Sequence, residues 1–124
     1  MEFMGDAVLQ LAASAMLWEQ FPDATEGELS RLRRLVVNNE FLAGLAREIE
    51  LGGLLRLGRG EEQTGGRCRE RNLSGAYEAL LCAVYLDQGL PAAQALIEAV
   101  IRPRLDTIKE VVNPKLRLHE WVQA

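Results

Sequence analysis

No apolar run in this chain approaches the ~20 residues that a bilayer-spanning helix requires, so no membrane span is expected. The first residues carry acids and no basic stretch, so no secretory signal is expected either. Strand-like alternation of apolar and polar residues is missing throughout, and with it any argument for a sheet; the expected class is all-α. The lone histidine, His119, cannot build a histidine-rich metal centre. The two cysteines, Cys68 and Cys82, lack C-x-x-C spacing, which excludes zinc ribbons and thioredoxin-type redox motifs. They read as reduced thiols of a cytoplasmic protein, with a disulfide between them as the alternative and Cys82 as a small core residue in an apolar helix. Positive charge is also scarce. A net charge of −4 argues against a general polyanion binder, whose footprint would be a basic surface. Aromatic residues make up only 6% of the chain, so Leu, Val and Ala must do most of the packing.

What remains is ample for a single core: 124 residues, 48% of them hydrophobic. The first helix is predicted over residues 2–20. Phe3, Val8, Leu11, Ala12, Ala15 and Met16 wrap more than one stripe of it, which predicts burial on most sides. Thr25-Glu26-Gly27-Glu28 reads as a capping box opening a second helix with a stripe of Leu29, Leu32, Leu35 and Val36. Asn38 or Asn39 can cap a third, whose apolar face is Phe41, Leu42, Leu45, Ala46 and Ile49 and which stops at Gly52-Gly53. From Leu54 to Arg71 helix signals are few and glycines many, so a long connector is expected. It gathers Arg56, Arg59, Arg67, Arg69 and Arg71; Arg31, Arg33 and Arg34 form a second basic group, and either can touch phosphates. A further helix is predicted over residues 72–88, then another from Pro91, with a kink or break at Pro103.

Chemistry concentrates at the start. Glu2 and Asp6 lie four apart in an otherwise apolar run, and on a helix they share a face. Paired carboxylates repel and lose solvation, and a hard divalent cation relieves both costs. Two solvated acids on a surface helix are the alternative reading of that spacing.

The segment EFMGDAVLQ resembles the signature helix of the ribonuclease III family, written E-F-L-G-D-(A/S)-(V/I)-L. FPDATEGELSRLRRLVVNNEFLA resembles the family's next two helices, LRLGRGEEQTGG its glycine-rich connector and YEALLCAVYLDQG its second acidic helix. The resemblance covers nearly the whole chain in order and spacing. It implies the all-α ribonuclease III endonuclease fold over residues 1–112, truncated at both ends relative to bacterial members. Residues 113–124 resemble the lead-in to a double-stranded-RNA-binding domain.

The resemblance further implies hydrolysis of both strands of an RNA duplex with Mg²⁺, for which Mn²⁺ can substitute, leaving 5′-phosphates, as in processing of ribosomal and other structured RNA. Glu2, Asp6 and Glu78 fall on family metal ligands, with Asp6 and Glu78 the catalytic pair. Glu26 falls on an acid near the RNA, and equally suits a first-turn acid facing the helix dipole. Phe3 falls on an aromatic that enters a socket on the partner subunit of a two-fold homodimer, and equally suits core packing. One departure stands out: Gly75 occupies the place of a family Asp, three residues before Glu78. A slow or inactive nuclease is one consequence to expect, and a non-catalytic dimeric module that binds duplex RNA is the alternative function.

Overall fold

The structure, a computed structural model, describes residues 1–111. Six α-helices account for most of it: α1 (Glu2–Gln20), α2 (Glu26–Val36), α3 (Asn39–Glu48), α4 (Arg59–Gln63), α5 (Glu70–Gln88) and α6 (Leu90–Val111). No strand occurs among the described residues, as the missing alternation predicts. The predicted tail at residues 113–124, His119 included, lies outside the described residues.

Local chemistry sets the helix ends. The Glu28 amide donates to the Thr25 hydroxyl at 3.2 Å, and the Thr25 amide donates to the Glu28 carboxylate at 2.8 Å, so the capping box forms in both directions. Asn38 is the cap of α3: its side-chain oxygen accepts from the Phe41 amide at 2.9 Å. At the end of α5, Gly89 takes φ +89°, a conformation open to glycine and strained for other residues.

The core is built around α5, which packs chiefly against α1 and α3, while α6 closes over α1 and α5. Leu9, Leu17, Leu32, Leu73, Leu81, Ile97, Ile101 and Leu105 are its largest fully buried side chains. Cys82 is buried among them and Cys68 is exposed; both are free thiols.

Several sequence expectations are corrected. Helix α3 ends at Glu48, short of Gly52-Gly53, and Leu35 and Ile49, assigned to apolar stripes, are exposed. The face of α1 that is buried carries Gly5, Val8, Leu9, Ala12, Ala13, Met16 and Leu17, and it is a single face. Phe3, Leu11, Ala15 and Trp18 lie outside it and are exposed, Phe3 most of all at 86%. The connector is not structureless: α4 and two 3₁₀ turns, Leu51–Leu54 and Gly66–Cys68, punctuate it. Polar bonds hold these turns, and Leu51 and Leu55 pack against the core. Arg67 donates to the carbonyls of Gly52 and Leu55, Asn72 bridges the Glu61 carboxylate and the Gly66 carbonyl, and Arg69 pairs with Glu61. Arg67 and Arg69 are thereby committed within the fold, as is Arg33, which donates to the Ser14 hydroxyl at 2.7 Å. Of the predicted phosphate contacts in the connector, Arg56, Arg59 and Arg71 are exposed, as is Arg69 despite its pairing with Glu61.

Helix α5 begins at Glu70, two residues before the predicted start. Helix α6 continues through Pro103 instead of breaking there. Ile101 and Leu105 are buried on either side of the proline and anchor both halves in the core. Pro103 and Ala99, the residue whose carbonyl loses its helical donor, are both exposed, so water can satisfy that carbonyl.

Candidate active site

Two glycines bring α1 and α5 unusually close. A Cβ placed on Gly5 would overlap the backbone carbonyl of Glu78, and one placed on Gly75 would overlap the carboxylate of Glu2. The pairings 5 with 78 and 2 with 75 step three residues along both helices in the same sense. Each glycine of one helix therefore receives a glutamate of the other. The crossing delivers the acids of EFMGD, on α1, to the acid of YEALL, on α5.

Glu78 is partly buried there and its carboxyl is held at a pKa of about 7, against an ordinary 4.5. Loss of hydration is the first cause, a hydrogen bond with the Asp6 carboxyl the second, and the negative charges of Asp6 and Glu2 add to both. The Gln10 amide, one turn on, donates a long 3.4 Å bond to Asp6. Glu78 thus retains its proton near neutral pH, hydrogen-bonded with Asp6, and Glu2 stands beside them.

The three predicted metal ligands share one neighbourhood, but they do not enclose a point: among the described residues no three His, Cys, Asp or Glu side chains are grouped as a metal cage. The Glu2 carboxylate lies over Gly75 instead. Such a donor set fits a hydrated hard cation. Mg²⁺ retains several waters and is commonly held by one or two carboxylates, and a cation would relieve both the lost hydration and the neighbouring negative charge that keep Glu78 protonated.

Glu26 is not part of this cluster. It lines a cleft of about 240 Å³ with Ser14, Leu17, Trp18, Leu29, Ser30 and Arg33. Trp18 is twelve residues beyond Asp6, about 18 Å along the helix at 1.5 Å per residue. Phe3 neighbours the acids in sequence, but its ring faces solvent. The seating of Glu2 on Gly75 is the feature sequence reasoning missed; the signal was a glycine inside an apolar helix, where it costs stability unless something approaches closely.

Comparison with known proteins places the fold. A family model described as Ribonuclease-III-like matches residues 1–105. The chain belongs to the ribonuclease-III-like family. Ribonuclease 3 of Nitrosococcus oceani is 46% identical over 129 residues, a match that takes in all of this chain and 55% of that protein. Ribonuclease 3 of Dechloromonas aromatica is 46% identical over 127 residues, with 100% and 57% covered. The chain therefore spans about half the length of these relatives. Among solved structures, the nuclease domain of ribonuclease III from Campylobacter jejuni superposes with a TM-score of 0.78 at 35% identity, over 82% of this chain and 71% of that one. That structure concerns flexibility in a region involved in dimer formation. A second structure of the same domain gives 0.76. The expected ribonuclease III fold is the observed one.

The raised Glu78 pKa has a measurable consequence. Between about pH 4.5 and 7 the folded state binds more protons at this site than the unfolded chain does. Its contribution to stability is therefore fully present below 4.5 and lost as pH rises through 7. Metal-free protein is expected to lose denaturant resistance over that window, and Glu78→Gln to lose less; urea titrations at stepped pH measure both slopes.

Proposed function

We propose that this chain is the nuclease domain of a double-strand-specific endoribonuclease, which hydrolyses phosphodiesters of structured RNA such as ribosomal precursors and leaves 5′-phosphates. The observation that carries this reading is the Asp6–Glu78 carboxyl pair, set by the α1–α5 crossing at one surface of a ribonuclease-III-like fold. Asp6 and Glu78 would hold Mg²⁺, or Mn²⁺ in its place, with Glu2 within reach to complete the site. When bound, the cation supplies an acidified water for attack on phosphorus and neutralises charge on the leaving 3′-oxygen. Asp6 and Glu78, as ligands of the cation, would orient that water toward the phosphorus. Duplex RNA offers shape and 2′-hydroxyls across its minor groove, so selection by helix geometry with little base readout is expected. Exposed Arg56, Arg59 and Arg71 can supply phosphate contacts.

A homodimer is part of the reading. Met4, Leu11 and Trp18 form an exposed stripe along α1, 42%, 55% and 68% accessible, with Phe3 beside it. Phe3 stands at one end of this helix and the cleft of Trp18, Leu17 and Leu29 at the other. Two copies related by a two-fold axis would pair these helices antiparallel and bring each Phe3 to the other's cleft. Glu26, lining that cleft, would then lie along the joint RNA-binding face. Phe3→Asp is expected to shift the sedimenting species from dimer to monomer and to change Trp18 emission; unchanged sedimentation contradicts the pairing. Free Cys68 and Cys82 accord with a cytoplasmic setting, and no helix among the described residues is long and apolar enough to cross a membrane.

The test is an end-labelled RNA duplex and its separated strands, incubated with the protein over a Mg²⁺ series. Cut duplex bearing 5′-phosphates, with intact single strands, is the expected result. Gly75, which brings no carboxylate to α5, favours a second reading, a dimeric module that binds duplex RNA without cutting it. Retained duplex without cleavage at any Mg²⁺ or Mn²⁺ level would decide for that second reading.

A further inference from the structure

We propose that Glu61 is a positioning residue for the RNA: its carboxylate ties α4 to the first turn of α5 and so fixes the exposed Arg59 and Arg71 as phosphate contacts beside the acid cluster. The inference rests on the duplex-RNA reading of the preceding section and names the residue that orients its arginines. Glu61 lies on α4, two residues after Arg59, and no residue of α4 is buried. Polar tethers therefore hold this helix where a core does not. One oxygen of the Glu61 carboxylate accepts from the Asn72 amide at 2.9 Å and also pairs with Arg69. Asn72, in the first turn of α5, donates as well to the Gly66 carbonyl at 3.0 Å. Arg69 reaches the carbonyl and hydroxyl of Thr64 at 3.3 and 3.2 Å. These bonds close around Gly66, where a Cβ would come within 2.6 Å of the Glu61 carbonyl oxygen and 2.7 Å of its Cγ.

An acid on a surface that meets a polyanion weakens binding unless it does something else there. Glu61 stays ionised: the Asn72 hydrogen bond first, and Arg69 second, hold its carboxyl below the ordinary 4.5. The charge of Arg71 reaches it too, which places that arginine close to α4. Arg71 and Glu78 are seven residues apart on α5, nearly two turns, so they share a face about 10 Å apart along the helix. Among the described residues neither Arg59 nor Arg71 has an ion-pair partner, and both are open to phosphates. Glu61 thus gives up its own charge to Arg69 and, through Asn72, holds the two free arginines in one place.

The sign of one substitution separates positioning from bulk charge. Removing an acid from a protein of net charge −4 should, by charge alone, tighten its hold on RNA. Removing a tether should loosen it. Binding of an end-labelled RNA duplex is measured without divalent cation, so that no cutting intervenes, over a salt series for wild type, Glu61→Ala, Glu61→Gln and Asn72→Ala. Glu61→Ala is expected to bind about tenfold more weakly, with a shallower salt dependence, as one or two phosphate contacts are lost. Glu61→Gln keeps an acceptor oxygen for Asn72 and Arg69 and is expected to stay within about threefold of wild type. Unchanged or tighter binding by folded Glu61→Ala overturns the positioning role and leaves the duplex-RNA reading standing. Asn72→Ala removes no charge and covers a Glu61→Ala that folds poorly: it too is expected to bind more weakly, and wild-type affinity overturns the tether. Absence of duplex binding by wild type overturns both this role and the reading on which it rests.

Discussion

Gly5→Ala is expected to lower the unfolding free energy by about 3 kcal/mol or more, the largest loss from any single methyl group added to α1. The new Cβ would overlap the Glu78 carbonyl oxygen and come within 3.1 Å of the Glu78 Cα. These are backbone atoms of a packed helix and cannot turn aside. Helices α1 and α5 must separate, which loosens Val8, Leu9, Ala12 and Ala13 against Leu73, Tyr77 and Leu81. The gain of ~1 kcal/mol in helix propensity cannot offset that loss. Gly44 in α3 is the control: nothing lies within 4 Å of a Cβ there, so Gly44→Ala is expected to be neutral or stabilising. Urea unfolding followed by circular dichroism measures both. A Gly5→Ala midpoint equal to wild type would mean that the close crossing, and with it the convergence of Asp6 and Glu78, is not as described.

The second large effect falls on activity and spares the fold. Glu78→Gln and Asp6→Asn are each expected to reduce duplex cleavage by about a thousandfold, equivalent to ~4 kcal/mol of transition-state stabilisation. Each removes one partner of the hydrogen-bonded Asp6–Glu78 pair at the crossing. Neither should destabilise the metal-free protein near pH 8, where Glu78 is ionised and removing either carboxylate relieves charge repulsion. Activity and stability thus move separately in these variants and together in Gly5→Ala. Single-turnover cleavage beside thermal melting distinguishes the two patterns. Cleavage within tenfold of wild type in Glu78→Gln would remove this residue from the catalytic machinery.

Local signals in the sequence were read well where one segment contains the whole interaction. Thr25 and Glu28 satisfy each other within one turn, and Asn38 caps its own helix, so both were visible as spacing. The pairing of Glu2 and Asp6 on one face likewise needed only a helical period. What joins them to Glu78 is a contact between helices far apart in the chain, and only resemblance to a family pointed to it. Periodicity also misjudged α1. Phe3, Leu11 and Trp18 are apolar, but hydrophobicity alone does not say whether a face meets this chain's core or remains outside it. At Pro103 the local rule was outweighed by tertiary packing, because Ile101 and Leu105 hold the helix on both sides. Gly75 was legible only as a departure; that it receives Glu2 depends on where another helix lies.

The central claim is that Glu78, beside Asp6, holds a proton which a divalent cation displaces. Calorimetric titration of Mn²⁺ into wild type and Glu78→Gln near pH 6, in buffers of differing ionisation enthalpy, tests it most directly. With a Glu78 pKa of about 7, wild-type binding should release about one proton per cation, and Glu78→Gln should bind more weakly and release almost none. Tight Mn²⁺ binding without proton release, or binding unaltered by Glu78→Gln, would contradict the account.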